Sequence, residues 1–245
     1  MDFALERQRM VQVQLRGHGI ADERLLAVME ELPRHLFVPE RQRRKAYDDE
    51  PLPIGTGQTI SQPYIVARMT ELLGLNGTET VLEVGTGSGY QAAILGRLAA
   101  QVWTIERHPE LAEHAMTMLS ELGLENVHVV VGDGTLGLPE HAPYDAIIVT
   151  AAGPGVPPAL REQLALNGRM VIPTAAGYGQ DLLLVERLPA AAAPTATAAA
   201  SDAEAGLAAG SAPPLEPGAP PSRYRETTIL GCVFVPLIGK QGYSE

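Results

Sequence analysis

Apolar residues recur at three- and four-residue spacing twice in the first 47 positions, at Met10, Val11, Val13 and Leu15 and again at Leu25, Leu26, Val28, Met29 and Leu32. That period predicts two amphipathic helices, the second capped by Asp22, with Pro33 and Pro39 punctuating the stretch after it. Residues 54–63 read Ile-Gly-Thr-Gly-Gln-Thr-Ile-Ser-Gln-Pro, too rich in glycine and small hydroxyls for a regular element. They predict a loop entering a helix over 64–73, with Ser61 near its N-cap and Pro63 in its first turn.

From residue 80 the pattern changes. Short apolar runs near 80–84, 102–105, 127–131, 145–150, 169–173 and 181–187 alternate with helical segments near 91–99, 109–122 and 157–165. Asn167-Gly168 offers a left-handed cap for the last helix. Such alternation predicts an α/β fold, a Rossmann-like, mostly parallel doubly wound sheet covered by helices on both faces. The apolar runs 181–186 and 227–235 are set to pair antiparallel, which adds an antiparallel C-terminal strand.

Between those runs, residues 189–222 differ in kind: of 34 positions 14 are alanine and 7 proline, with no aromatic and no basic residue. Side chains this small bury too little area to offset ordering entropy, so a disordered insert at a hairpin tip is expected. Only 23 residues follow it, too few for another domain. The chain is therefore expected to form one domain over 1–245. It would comprise an N-terminal helical and substrate-loop region over 1–75, an α/β core over 76–188 and 223–239, and the insert over 189–222.

The chemistry concentrates at one strand end. Residues 81–90 read Val-Leu-Glu-Val-Gly-Thr-Gly-Ser-Gly-Tyr, a strand that runs into Gly85, Gly87 and Gly89 and then a helix. Glycines there let the backbone approach a ligand, and the helix N-terminus offers unpaired N–H groups. The dinucleotide fingerprint Gly-x-Gly-x-x-Gly is not matched, and Glu83 would repel a pyrophosphate while suiting a cationic ligand such as the amino group of S-adenosyl-L-methionine. Glu106 ends the next strand, 21 residues after Gly85, where a ribose-binding acid belongs, and Asp133-Gly134 follows the third, placed to meet an adenine amino group. Each acid alone also reads as a loop residue or helix cap; together they mark one sheet edge.

Net charge is −11, and residues 1–50 hold 9 of the 18 basic side chains, so the remainder is strongly acidic. A polyanion is gripped mainly by Lys and Arg, so no nucleic-acid partner is expected. The cluster Arg41 to Lys45, followed by Asp48, Asp49 and Glu50, reads as a compensated helix end. No apolar run has membrane-spanning length, the N-terminus lacks a signal-peptide pattern, and the single cysteine, Cys232, reads as a buried inert thiol. A soluble, cytoplasmic monomer is expected. No histidine sits in metal-ligand spacing, so all six are read as surface or structural and no metal is expected.

Leu36-Phe37-Val38-Pro39, Ala46-Tyr47, Gly57-Gln58-Thr59-Ile60-Ser61-Gln62-Pro63, Val81 to Gly89, Gly132-Asp133-Gly134, Pro143 to Ile147 and Phe234 to Leu237 together resemble the protein-L-isoaspartate O-methyltransferase family. The Thr-Ile-Ser-Gln-Pro loop is the specific part; the glycine turn is shared by many S-adenosyl-L-methionine enzymes. The resemblance implies methyl transfer from S-adenosyl-L-methionine to the free carboxylate of L-isoaspartyl residues in damaged proteins and peptides, which starts repair through a succinimide. It implies Ser61 as the residue that hydrogen-bonds that carboxylate and Gly57, Gln58, Thr59 and Ile60 as a cover over substrate and cofactor. Glu83 would hold the cofactor's polar tail, Glu106 its ribose, and Asp133 and Gly134 its adenine. Other readings stay open: a methyltransferase for RNA or a small molecule, an NAD-dependent dehydrogenase, which the glycine spacing disfavours, and a non-catalytic protein that binds the same cofactor. Ser61 as no more than a helix cap also remains open.

Overall fold

The structure is a computed structural model and describes residues 1–189 and 223–244. The N-terminal segment opens with helix α1 (Phe3–Arg9), whose first N–H groups bond to Asp2. It continues through a π-helical stretch, Met10–Leu15, that buries Met10, Val11 and Leu15, and a tight turn that ends on Gly19. Helix α2 (Glu23–Glu31) begins as expected, with the Asp22 carboxylate accepting from the Arg24 and Leu25 N–H groups.

The glycine-rich stretch is more regular than the sequence predicts. Strands β1 (Leu52–Gly55) and β2 (Gln58–Ile60) pair antiparallel around Thr56 and Gly57. Both turn residues have positive φ, 49° and 72°, the combination a two-residue hairpin turn demands. Glycine and threonine thus close a hairpin where their composition suggests a loop. Helix α3 (Pro63–Leu73) comes next with Gln62, not Ser61, in the cap position, and no side chain of its own segment caps it. Asp49 does so from a distance, accepting from the Tyr64 N–H at 3.0 Å and from Gln62 Nε2. The Ser61 side chain is therefore released from capping.

Strand β3 (Thr80–Val84), helix α4 (Tyr90–Leu98), β4 (Gln101–Glu106), helix α5 (Pro109–Glu121), β5 (Val127–Val131), β6 (Tyr144–Val149), the short helix α6 (Pro158–Gln163) and β7 (Leu164–Ala176) build the parallel part of a seven-stranded sheet and its covering helices. Strands β8 (Gly179–Leu188) and β9 (Arg223–Cys232) complete the sheet in the order β5-β4-β3-β6-β7-β8-β9. β8 is antiparallel to β7, and β9 is antiparallel to β8, as expected for the two runs that flank residues 189–222. All of that insert except Pro189 lies outside the described residues.

Side chains alternate across the sheet. Val81, Ala146, Ile148 and Val171 face the N-terminal helices, α3 and α4, while Leu82, Ile147, Val149, Met170 and Ile172 face the side of α6. In the central strands β3 and β6 both faces are buried, as a parallel sheet requires.

Two boundaries move. α6 ends at Gln163 and the chain enters β7 at the fully buried Leu164; Arg187 of β8 donates to the carbonyls of Glu162 and Leu164 and so closes the helix end. Asn167 does take a left-handed conformation (φ 65°), but within β7 rather than as the helix cap. At the other end β9 stops at Cys232, which is half-buried rather than buried, and burial pushes its thiol up to about 11. The chain then crosses to the neighbouring loop, where Ala152 N donates to Val235 O and Leu237 N to Ala152 O, both at 2.8 Å.

Leu188 lies directly opposite Arg223, so a two-residue turn can join them. Replacing residues 189–222 by Asn-Gly is expected to shift the melting temperature by less than about 4 °C, a stability change of about 1 kcal/mol or less; thermal unfolding followed by circular dichroism checks this.

Candidate active site

Strand β3 has β4 on one side and β6 on the other, so the chain leaves it in one direction and returns on the other. At such a switch point the strand ends diverge and leave a crevice. The glycine turn lies there, with φ of 99°, 53° and 85° at Gly85, Gly87 and Gly89, and Gly89 serves as the N-cap of α4. Gly85 is held from both sides: its N–H donates to Ile105 O at 2.9 Å, and its carbonyl accepts from Thr150 Oγ1 at 2.7 Å. A Cβ on Gly85 would overlap that same Thr150 hydroxyl. A Cβ on Gly134 would come within 2.5 Å of Val84 Cγ1. Both positions need glycine for space, and Gly85 needs it for its backbone conformation as well.

Glu106 is nearly fully buried, and its carboxylate ties the turn to β4, accepting from the Gly87 N–H at 2.9 Å and the His108 N–H at 3.0 Å. Above the turn opens a cleft of about 890 Å³, its mouth included. Three segments far apart in the chain wall it: Gln58 to Ser61 from the hairpin, Val84 to Ser88 with Tyr90 from the turn, and Val235 to Ile238 from the C-terminal segment. Ile105, Glu106, Gly134 and Thr150 supply the rest of the strand-end edge. Among the described residues the Ser61 hydroxyl, which lines this cleft, has no hydrogen-bond partner.

The structure brings together Gln58, Thr59, Ile60, Ser61, Gly85, Gly87, Glu106 and Gly134. Four expected residues stand back from the cleft wall. Gly57 is exposed at the hairpin tip. Gly89 is buried against Ala115 of α5, where a Cβ would come within 3.2 Å of that side chain.

Glu83 lies beneath the turn, fully buried, and reaches the cleft only through hydroxyls: Thr104 Oγ1 donates to its Oε2 at 2.5 Å, and Thr86, on the cleft wall, is 2.6 Å from Thr104. Its Oε1 has no partner, and burial pushes the carboxyl up to about 8. Asp133 serves the C-terminal turn: its carboxylate accepts from the Thr135 N–H and hydroxyl and from the Lys240 N–H. Desolvation alone would raise its carboxyl, but these bonds outweigh it and hold it below the usual carboxylate value.

Several residues of the site carry no individual signal in the sequence. Thr86 and Thr104 form the hydroxyl chain, Thr150 locks Gly85, and Tyr90 lines the cleft while its hydroxyl finds no partner among the described residues. His108 also lines the cleft. Arg34 is completely buried behind Ser61; the one available hint is a cation placed inside the run Leu-Pro-Arg-His-Leu-Phe.

A family model described as protein-L-isoaspartate(D-aspartate) O-methyltransferase matches residues 6–198. A protein-L-isoaspartate O-methyltransferase of Methanoregula boonei is 50% identical over 97% of this chain and 95% of its own length. That of Trichlorobacter lovleyi is 49% identical over 99% and 98%. A solved protein-L-isoaspartate O-methyltransferase superposes with a TM-score of 0.74 at 26% identity, covering 96% of this chain and 67% of that one. A putative protein-L-isoaspartate O-methyltransferase of Plasmodium falciparum, solved in complex with S-adenosyl-L-homocysteine, shares the fold with a TM-score of 0.70 at 20% identity over 95% and 98% of the two chains.

Gly85→Ala combines a left-handed non-glycine residue with a clash against Thr150, and is expected to cost about 2–4 kcal/mol in urea unfolding. Glu83 has a folded-state value of about 8 against 4.5 for the free side chain, so its contribution to stability is complete below about pH 4.5 and is lost as pH rises through about 8. Glu83→Gln should remove that loss. Urea unfolding between pH 6 and 9 is expected to show the native protein falling in stability relative to the variant as pH increases.

Proposed function

The chain belongs to the protein-L-isoaspartate O-methyltransferase family, and on that premise we propose that its cleft aligns an isoaspartyl carboxylate, held by Ser61, with a methyl donor lying over the glycine turn. The activity is transfer of a methyl group from S-adenosyl-L-methionine to the free carboxylate of L-isoaspartyl residues in damaged proteins and peptides, which initiates repair through a succinimide. The observation that carries the residue assignment is the Ser61 hydroxyl, which lines the cleft, is freed from capping by Asp49, and is without a partner among the described residues.

The residues present fit the cofactor. Gly85, Gly87 and Gly134 present their backbone to the cleft, the first two in left-handed conformations, and Glu106 offers carboxylate oxygens at the end of β4 for ribose hydroxyls. Glu83 acts through its neighbours: Thr104 is hydrogen-bonded to its carboxyl and Thr86 to Thr104, so two hydroxyls link the buried acid to the cleft wall, where the Thr86 oxygen can meet a cationic tail. Asp133 contributes by fixing the 133–135 loop and the C-terminal turn, so that the Gly134 backbone borders the adenine position. When bound, S-adenosyl-L-methionine supplies a methyl group already activated on a sulfonium.

A carboxylate is a nucleophile at neutral pH without help, so no general base is needed, and alignment with exclusion of water suffices. Ser61 donates one hydrogen bond to a carboxylate oxygen and leaves the other to attack. Gln58, Thr59 and Ile60 cover the site from the hairpin, with Gly57 at its tip as the pivot of the turn. Val235 to Ile238 supply a further wall.

The same reading treats 1–245 as one catalytic unit, a cytoplasmic monomer acting on polypeptides and not on nucleic acid. The net charge of −11 and the lone cysteine support it. No helix among the described residues is long and apolar enough to cross a membrane.

Methyl transfer to a peptide pair that differ only in an isoaspartyl or aspartyl linkage is expected to label the isoaspartyl member alone; equal labelling would refute the assignment. Ser61→Ala removes a hydrogen bond to a charged group and should lower kcat/KM by about 10- to 100-fold. Calorimetric affinity for S-adenosyl-L-homocysteine should stay within about twofold.

A further inference from the structure

The most unusual buried group outside the residues already assigned is Arg34, on the single turn Arg34–Phe37 that follows Pro33. Its side chain has no solvent exposure. Nε donates to Ala46 O and Nη2 to Ser61 O, each at 2.7 Å, while Nη1 has no partner among the described residues. The guanidinium carbon stands 5.0 Å from the ring centroid of Tyr90, which in turn contacts Phe37 edge-on. Ser61 and Tyr90 both line the cleft, so the cation lies directly behind two of its wall residues.

Among the described residues no carboxylate pairs with it. Asp49 is the acid whose field it feels, but the Asp49 oxygens are engaged by Tyr64 N and Gln62 Nε2, and no ion pair joins Asp49 to Arg34. Desolvation pulls the guanidinium down to about 10, so at neutral pH it remains charged. Burying a cation against carbonyls and a ring costs free energy that an apolar side chain of the same volume would avoid. For tethering alone, a neutral donor would serve at lower cost. What a neutral residue does not supply is positive potential at the face of Ser61, in a low-dielectric wall where it is weakly screened.

We propose that Arg34 is a positioning and specificity residue: it fixes Ser61 through its carbonyl and, by its unpaired charge, makes the acceptor subsite favour a carboxylate over a neutral amide. This rests on Ser61 as the residue that meets the acceptor. The isoaspartyl side of the reaction thereby gains selectivity for the ionised group that the chemistry consumes. The cofactor side, built on the glycine turn and Glu106, is left alone.

The test uses the full-length protein, the isoaspartyl peptide, and the same peptide with the reacting carboxylate replaced by a carboxamide as a competitive ligand. In Arg34→Met and Arg34→Gln, KM for the isoaspartyl peptide is expected to rise about tenfold, and the carboxylate-over-carboxamide preference to fall by a similar factor. S-adenosyl-L-homocysteine affinity should stay within about twofold. Arg34→Lys, which keeps the charge but not the forked reach to two carbonyls, should restore much of the preference. An unchanged preference in the neutral variants overturns the proposal. So does a lysine variant no better than methionine, or parallel loss of peptide and S-adenosyl-L-homocysteine binding in all three, which would make Arg34 purely structural. Ser61→Ala separates the two claims: if it leaves turnover intact, the Ser61 assignment falls, whereas impaired Ser61→Ala with unaltered preference in the Arg34 variants removes only the Arg34 inference.

Discussion

Gly85 and Thr150 share one small volume at the C-terminal ends of two adjacent strands, and the site depends on how that volume is divided. The threonine hydroxyl bonds to the carbonyls of Val84 and Gly85 and stands where a Cβ of residue 85 would be. The glycine then takes a left-handed conformation that turns the chain away from β3 and lifts Gly87 and Ser88 toward the cleft. Glu106 fixes the other flank through the Gly87 N–H. A turn held this way, by bonds from two neighbouring strands, is organised before any ligand arrives, which lowers the ordering cost of binding.

Everything else is brought to that turn from a distance. The hairpin that carries Gln58 to Ser61 reaches it because Asp49 seats the start of α3 and Arg34 holds the Ser61 carbonyl. The C-terminal segment reaches it because Val235 and Leu237 bracket Ala152, and because the Lys240 N–H and the Gln241 N–H dock on Asp133 and Thr135. The acids of the strand ends thus divide their labour. Glu106 lines the cleft, Asp133 ties down the segment that closes it, and Glu83 stays beneath the floor and acts through two threonine hydroxyls.

The parallel core is legible in the sequence because short apolar runs and helical spacing are local signals, and β3 to β6 fall where they predict. The cleft's glycines and Glu106 are legible for the same reason, since a strand end followed by glycine or an acid is read within a few residues. The features that escape such a reading are non-local. The 54–63 stretch looks like a loop because glycine and threonine suggest a turn rather than strands, yet the positive φ that residues 56 and 57 adopt is what a tight hairpin requires. Ser61 precedes a helix and so looks like a cap, while the real cap, Asp49, is 15 residues upstream of the N–H it serves. Asp133 looks like a ligand-facing acid because nothing in its neighbourhood shows that residue 240 returns to it. Arg34 carries no sign of its partners, which come from Ala46 and Ser61.

The central claim is that the Ser61 hydroxyl meets the acceptor carboxylate within a cleft that the glycine turn also walls. A crystal structure with S-adenosyl-L-homocysteine and an isoaspartyl peptide tests it most directly. The account predicts a carboxylate oxygen within about 3.2 Å of Ser61 Oγ, with the nucleoside's ribose on Glu106 and the sulfur on the Ser61 side. An acceptor carboxylate bound elsewhere, with Ser61 facing solvent or its own backbone, would contradict it.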